Sequence, residues 1–371
     1  MHTRLWRIIM YKNLIIYYFS GTGNAKRAAE WFADVARLQG INTIIVNIDR
    51  FTEITLPAVE GKTLIGFFSP THGFNLPPIM LKFIYKFPRR KNTCVFILNT
   101  RAGLKLSKLF VPGLSGLAQF FPAMMLFLKG YRIVGMQPMD LPSNWISLHP
   151  GVKQKVVTSI FERCERITKK FSERILSGKT KYKALLSTPF DLAVAPIALG
   201  YYFIGRFGIA KTFVASKNCN GCELCFKQCP VNAIRMVDSR PFWTFRCESC
   251  MRCMNTCPER AIETAQGFTA LIWWLILGVI VPWIAKEFYG IKIFSMNSES
   301  WQAGLLETLA GSEIGLAVVW AGYQVMHYLM RFPYFEKLII YTSLTKYKFW
   351  RRYKAPKMPK RVDAVQEYTK T

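Results

Sequence analysis

Short apolar runs alternate with amphipathic runs in the N-terminal part of the chain. Nearly continuous apolar runs are typical of strands buried in a parallel sheet, and apolar residues three and four positions apart are typical of helices. This alternation predicts an α/β fold with a doubly wound parallel sheet. The predicted strands are Lys12–Phe19, Ile41–Ile48, Thr63–Ser69, Thr93–Asn99 and Tyr131–Met136, and the predicted helices are Lys26–Leu38, Pro78–Phe87 and Gly151–Leu176.

Three loops follow predicted strands. Ligands of open parallel sheets bind beyond the carboxyl ends of the strands. A glycine-rich turn between a strand and a helix also offers backbone N–H groups to a phosphate. The first loop therefore predicts a phosphate site, with a plain surface turn as the alternative. The three loops are Ser20-Gly21-Thr22-Gly23-Asn24-Ala25, Pro70-Thr71-His72-Gly73-Phe74-Asn75 and Thr100-Arg101-Ala102-Gly103.

Eight of the ten cysteines lie in two copies of one pattern, C-x-x-C-x-x-C-x-x-x-C-P. Thiolate sulfur suits iron, and two 4Fe–4S clusters need eight thiolates. The fourth cysteine of each copy is expected to ligate the cluster of the other copy. We therefore assign a first cysteine set, Cys219, Cys222, Cys225 and Cys257, and a second cysteine set, Cys229, Cys247, Cys250 and Cys253. Structural zinc is the alternative, but zinc requires neither the third cysteine nor the repeated Cys-Pro end.

Residues Ser20–Asn24 resemble the phosphate loop of flavodoxins. Together with the repeated cysteine pattern, they make roughly residues 10–265 similar to the flavodoxin–ferredoxin fusion (ferrodoxin) family. The resemblance implies a flavodoxin-like domain joined to a bacterial-ferredoxin-like α+β domain with two 4Fe–4S clusters.

The same resemblance implies FMN as a further cofactor. Ser20, Thr22, Gly23 and Asn24 would then hold the FMN phosphate, and the loops at 71–74 and 100–103 would flank the isoalloxazine. Ala25 departs from the flavodoxin pattern, which usually has threonine there, and Lys26 or Arg27 is expected to compensate by charge. His72 and Phe74 are the candidates for stacking on the flavin, the alternative being a surface histidine beside a core phenylalanine.

Several uncharged runs predict contact with lipid. Phe268–Ala285 would form a helix about 27 Å long, close to the roughly 30 Å of a bilayer core. Ile314–Met330 is a second candidate span, which places His327 inside it. Leu109–Leu128 is interrupted by proline, which favours a lipid interface over a straight span, with a buried helix in a larger core as the alternative. Leu192–Ile204 also contains proline, and its 13 residues favour a buried or interfacial segment over a span.

The chain is strongly basic, with 50 lysines and arginines against 22 acidic residues among 371, a net charge of +28. Such a charge favours an anionic partner. The basic tail is interleaved with aromatic residues and follows a predicted span, which favours anionic headgroups over nucleic acid. The positive-inside rule and the reducing surroundings that cluster thiolates need place the soluble domains on the cytoplasmic side of the cell membrane.

These inferences predict five regions. They are a flavodoxin-like domain at 10–177, a basic and apolar linker at 178–212, a two-cluster ferredoxin domain at 213–266, a helical membrane hairpin at 267–331 and a cytoplasmic tail at 332–371. The predicted function is electron transfer between the clusters and FMN, to or from a membrane-associated acceptor such as a quinone. The alternative is a carrier or docking module for a separate membrane redox enzyme. No acid–base pair or nucleophile stands out as catalytic, so the cofactors are expected to carry the chemistry.

Overall fold

The structure, a computed structural model, describes residues 10–54, 56–275, 278–279, 282–283, 286–287 and 320–350. The chain divides into two compact units. The first unit contains residues 10–145 and 151–202, and the second contains residues 146–150 and the described residues from 203 onward. The connection of the predicted membrane hairpin at 288–319 and the end of the predicted tail at 351–371 lie outside the described residues.

A mostly parallel sheet forms the centre of the first unit. Its strands run in the order β2-β1-β3-β4-β6-β7, while β5 pairs antiparallel with β4. If β5 is left out and β6 is counted as the fifth strand, the strands β2-β1-β3-β4-β6 have the order 2-1-3-4-5 of flavodoxin-like folds. The predicted α/β fold class is thus confirmed. The strands are β1 (Asn13–Tyr18), β2 (Asn42–Asn47), β3 (Thr63–Pro70), β4 (Cys94–Leu106), β5 (Leu109–Val111), β6 (Arg132–Pro142) and β7 (Lys181–Tyr182).

Helices cover both faces of this sheet. On one face α1 (Asn24–Leu38) and α4 (Gln154–Leu176) share a core in which Phe32 stacks on Phe96 with ring centroids 4.4 Å apart. Gly66 is required there, because a Cβ atom would lie 2.5 Å from the Phe96 ring. On the other face lie α2 (Pro78–Lys86) and α3 (Leu117–Leu128).

Residues Thr100–Gly103 were predicted as a loop, and this prediction is wrong. β4 continues through them and pairs with β6 as far as Gly103 opposite Pro142. Arg101 and Asp140 are directly opposite in this register and form an ion pair, Nε to Oδ1 2.7 Å. The paired polar side chains let the ladder extend beyond the apolar part of both strands.

Residues 178–212 do not form a linker, contrary to the prediction. Lys181–Tyr182 are β7 and pair with β6 in parallel. A 3₁₀ turn, Lys183–Ser187, and the helices α5 (Thr188–Ala193) and α6 (Ala195–Gly200) follow, and after a π turn, Tyr201–Gly205, comes α7 (Arg206–Ala210). The buried Asp191 accepts hydrogen bonds from the backbone N–H groups of Ser115 and Gly116, each at 2.8 Å. The first unit therefore extends to residue 202.

Among the described residues, no single helix has the length and apolar composition to cross a membrane. The pair 183–193 and 195–210, bent by 77°, satisfies both criteria only when taken together. The predicted lipid-facing run Leu109–Leu128 comprises β5, a short loop and α3. One side of α3 buries Ala118 and Leu126, whereas Met124, Phe127 and Leu128 on the other side are exposed.

The second unit is built around two short antiparallel pairs. β8 (Phe213–Ala215) pairs with β11 (Ile262–Thr264), and β9 (Ile234–Val237) pairs with β10 (Arg240–Trp243). The short helices α8 (Leu224–Lys227) and α9 (Arg252–Thr256) lie between these strands in sequence, and α10 (Gln266–Leu275) follows them.

The C-terminal described segment belongs to this second unit. It contains helical residues 320–329, α11 (Pro333–Tyr341) and a 3₁₀ turn, Leu344–Lys346. Tyr323, Met326 and Met330 share an apolar cluster with Val214 and Ala265. The described half of the second predicted span thus packs on the cysteine-bearing domain, and residues 333–350 are folded rather than forming a tail.

Candidate functional site

The two copies of the cysteine pattern fold into matching local structures. A residue with left-handed backbone precedes each short helix, Glu223 before α8 and Met251 before α9. At the end of each copy, a backbone N–H four residues beyond the last cysteine donates to its sulfur. The two distances are 3.2 Å from Ala233 to Cys229 Sγ and 3.3 Å from Ala261 to Cys257 Sγ.

Members of each cysteine set lie within electrostatic reach of one another. Cys225 interacts with Cys219, Cys222 and Cys257, the other members of the first cysteine set. In the second cysteine set, both Cys247 and Cys250 interact with Cys229, and Cys253 interacts with Cys247 and Cys250. Cys253 also interacts with Cys225 of the first set. The assignment of four particular cysteines to each cluster stays a prediction.

Burial controls the protonation of these thiols. It raises the pKa of Cys225 to about 11 and that of Cys250 to about 12, and it raises the pKa of Cys253 well above the ordinary value. Thiolates at such sites need cationic partners, and iron provides them. In the described residues, no three His, Cys, Asp or Glu side chains surround one point closely enough for a single ion.

The two cysteine sets differ in exposure. Cys222 is exposed and the other members of the first set are half-buried, whereas Cys229 and Cys247 of the second set are buried. Lys211 lies close to the second set, where it interacts with Cys247. Sequence reasoning missed Lys211 because it lies outside both cysteine patterns.

Lys211 is a nearly buried cation, only 4% exposed. Its Nζ donates to the carbonyl of Trp243 and lies 4.4–5.1 Å from three ring centroids, those of Tyr323, Phe245 and Phe242. Burial lowers its pKa to about 8, and the nearby Cys247 opposes that shift. The three aromatic faces stabilise the ammonium in place of water.

The loop Ser20–Ala25 joins the end of β1 to the start of α1, as the sequence predicted. Gly23 caps the helix in a left-handed conformation with φ 99°, and no side chain caps the helix N-terminus. The Gly23 N–H donates to Ser20 Oγ at 3.0 Å, and no acidic residue lies in the first turn. The positive end of a 15-residue helix is thus unopposed by acid, which suits a phosphate. Ala25 is buried, so its methyl group packs inward.

A third strand-end loop, missed by sequence reasoning, contacts this one. Asn24 Nδ2 donates to the carbonyl of Pro142 at 2.7 Å, and Asn144 Nδ2 donates to Thr22 Oγ1. Trp145, the next residue, stacks on His72 with centroids 6.0 Å apart and 19° between planes. The loop follows β6, and its position after a strand is the same signal by which the sequence analysis chose its three candidate loops.

The loop after β3 has little freedom to change. A Cβ atom on Gly73 would lie 2.1 Å from the Tyr201 ring, and Phe74 has a positive φ of 63°. The carbonyl of Phe74 accepts from the Leu117 N–H at 2.8 Å. His72 is buried and stacks on Trp145, whereas Phe74 is half-buried.

The residues Thr100–Gly103, which lie within β4, contribute differently from the prediction. The backbone carbonyl of Thr100 accepts a hydrogen bond from the Thr71 N–H at 2.7 Å, which fixes the loop after β3. The Arg101 guanidinium is buried against Asp140, Ala102 is exposed, and Gly103 is buried against the backbone of β6. Thr100 and Arg101 therefore support the edge of the sheet rather than forming a free loop.

Residues 218–262 match the family model described as a 4Fe-4S dicluster domain. The second unit therefore contains a 4Fe–4S domain. The match ends at the first residue of β11 and covers all eight cysteines of the repeated pattern. No curated protein matches this chain.

Solved structures similar to the first unit include flavodoxins. A flavodoxin from the domain Archaea is 13% identical, with a TM-score of 0.27, over 44% of this chain and 98% of its own. The two-electron reduced flavodoxin of Megasphaera elsdenii is 14% identical, with a TM-score of 0.27, over 41% and 98%. The NAD(P)H:quinone oxidoreductase of Methanothermobacter marburgensis is 11% identical, with a TM-score of 0.28, over 43% and 99%. The fold assignment rests on the strand order and not on these scores.

Proposed function

We propose that this chain is an iron–sulfur flavoprotein that transfers electrons between two 4Fe–4S clusters and FMN. The observation that carries the proposal is the grouping of eight cysteines into two sets of four within a 4Fe–4S domain, on the same chain as a flavodoxin-like sheet. A flavin can take up two electrons and release them singly, and each cluster carries one.

The chain's own residues fit both groups. The first and second cysteine sets would ligate one cluster each. The loop Ser20–Ala25, with the uncapped N-terminus of α1, would hold the FMN phosphate, and His72 with Trp145 would flank the ring system. Lys26 and Arg27, in the first turn of α1, provide positive charge near the phosphate.

Cofactor analysis tests this proposal. Anaerobically purified full-length protein is expected to contain about eight iron and about eight sulfide per chain. It should also release about one FMN on denaturation. Zinc in place of iron and sulfide would overturn the cluster assignment, and full iron content without flavin would overturn the FMN assignment.

For the acceptor, we propose a lipid-soluble compound such as a quinone, with the protein anchored at the cytoplasmic face of the cell membrane. Exposed apolar side chains support this proposal, namely those of Met124, Phe127 and Leu128 on α3 and of Leu271 and Trp274 on α10. In the first unit, Gly116 at the start of α3 packs against the Phe74 carbonyl, so the apolar helix lies beside the proposed flavin loop.

A carrier function is the second candidate, supported by the exposed Cys222, which would place one cluster within reach of a redox protein. Purified protein in detergent, supplied with reduced ferredoxin and a quinone analogue, separates the two. Quinone reduction without another protein supports the reductase. Reduction of the clusters without quinone turnover supports the carrier. Recovery of all protein in the soluble fraction of disrupted cells would overturn membrane anchoring.

A further inference from the structure

The surroundings of the two cysteine sets are chemically unequal. Backbone N–H groups reach three sulfurs of the second set, since Ala233, Ser249 and Arg252 donate to Cys229, Cys247 and Cys250. The side chain of Trp243 lies beside the fourth, Cys253. Within the described residues, the first set receives such bonds at Cys225 from Phe226 and at Cys257 from Ala261.

The indole of Trp243 is the donor among these that a substitution can remove. Trp243 is fully buried, at 0% exposure, and Nε1 has no hydrogen-bond partner, sulfur included, in the described part of the chain. The indole lies beside Cys253. A buried indole N–H normally has a partner, and a cluster held by the second cysteine set would provide sulfur acceptors beside it.

Lys211 adds a positive charge on the same side. Lys211 interacts with Cys247 of the second set. Its Nζ also donates to the carbonyl of Trp243, whose side chain lies beside Cys253. Within the described residues, this ammonium contacts the Trp243 carbonyl, three aromatic rings and Cys247, and no carboxylate forms an ion pair with it. Its field acts at the cluster site against that of the buried Glu248, which interacts with Cys247 and Cys250.

We propose that Lys211 and Trp243 raise the reduction potential of the cluster held by the second cysteine set above that of the cluster held by the first. The inference rests on the proposed function, because it requires both clusters. Reduction adds one electron, and hence one negative charge, to a cluster. A buried cation and N–H donors to sulfur stabilise that charge, whereas burial alone disfavours it.

An order of electron transfer follows from this difference. A soluble redox protein that gives up one electron reaches the first cluster at the exposed Cys222. The electron then moves to the second cluster, which has the higher potential, and the first cluster returns to its oxidised state. Lys211 and Trp243 are positioning residues in this scheme, since they act through the second cluster.

The test is a redox titration of the full-length holoprotein with dithionite, followed by EPR spectroscopy. The unmodified protein should show two one-electron steps. Lys211→Gln should lower only the upper step, Lys211→Arg should restore it, and Trp243→Phe should lower it by a smaller amount. Lys337→Gln is the matched control, because Lys337 is an exposed lysine of the same unit that lies on α11, outside both cysteine patterns. It should leave both steps unchanged.

The outcomes separate the two proposals. Iron and sulfide content below two clusters in unmodified protein contradicts the proposed function. Full content with a single shared potential, or a Lys211→Gln shift equal at both steps or absent, overturns the inference alone. If Lys211→Gln does not fold, Trp243→Phe and Lys211→Arg decide, since a Trp243→Phe protein with an unchanged upper step contradicts the role of the indole.

Discussion

Trp145 lies almost parallel to His72, with 6.0 Å between ring centroids and 19° between planes. Tyr201 meets Trp145 edge-on, with centroids 5.4 Å apart and an angle of 84°. All three rings lie in the first unit, beyond the carboxyl ends of β3 and β6. An edge of a parallel sheet lined by stacked rings is the place where a planar ligand binds in this fold class.

Replacing Trp145 therefore tests the proposed flavin platform. Trp145→Ala removes a stacking surface, and an aromatic pair contributes about 0.5–1.5 kcal/mol, so the dissociation constant for FMN should rise about threefold to tenfold. Fluorescence titration of flavin-free protein with FMN measures the change. Trp145→Phe, which keeps an aromatic face, is the control and should bind nearly as well. Equal affinity of Trp145→Ala and unmodified protein would contradict the platform.

Gly23 provides a sharper test of the phosphate loop. Its φ of 99° is strained for any residue with a Cβ atom, so Gly23→Ala should destabilise the first unit by about 1–2 kcal/mol and distort the loop. FMN binding should weaken by more than tenfold. Gly40→Ala is the matched control, because Gly40 has φ 74° and no atom within 4 Å of a Cβ, and it closes the opposite end of α1.

The two variants should lose similar stability in urea denaturation, while only Gly23→Ala should lose FMN affinity. The same loss of affinity in both would mean that the effect comes from general destabilisation of α1. In that case the loop Ser20–Ala25 would not be the phosphate site.

The sheet was predictable because its strands are buried on both faces, so their apolar runs stand out in the sequence. The ends of β4 and β6 were not predictable from the same signal. Arg101 and Asp140 interrupt the apolar pattern, and only the register that places them opposite each other explains why the ladder continues. A pattern read along one strand contains no information about its partner.

The 4Fe–4S domain was predictable for a different reason, namely that ligand spacing in an iron–sulfur pattern is local and chemically restrictive. Lys211 and Trp243 were not predicted to lie near its cysteines, since they approach Cys247 and Cys253 through tertiary contacts. Residues 320–330 show the same limit. An apolar helix that packs on a protein domain through Tyr323 and Met326 has the composition of a helix that contacts lipid.

Asp191 holds the apolar segment after β7 against the loop before α3. Asp191→Ala would leave the N–H groups of Ser115 and Gly116 buried without a partner, at about 1–3 kcal/mol each. The free energy of unfolding of the first unit should fall by about 2–5 kcal/mol. Limited proteolysis within 183–202 should also become faster.

Asp34→Ala is the control for that prediction, because Asp34 forms an exposed ion pair with Arg37 at 3.0 Å. Its loss should cost no more than about 1 kcal/mol. Asp191→Asn keeps one acceptor oxygen, so its loss in the free energy of unfolding should lie between those of Asp191→Ala and Asp34→Ala. Equal stability of the Asp191→Ala and Asp34→Ala proteins would contradict the anchoring role of Asp191.

The crossed assignment of the cysteines predicts which substitutions resemble each other. Cys257 belongs to the first set although it ends the second copy of the pattern, so Cys257→Ala and Cys219→Ala should disrupt the same cluster. Both should keep about half the iron and the EPR signal of the other cluster. Cys229→Ala and Cys247→Ala should instead disrupt the second cluster and keep the EPR signal of the first. Cys164→Ser, in the first unit and outside both sets, should keep all the iron. If Cys257→Ala instead resembled Cys247→Ala, each copy would ligate its own cluster and the grouping would be wrong.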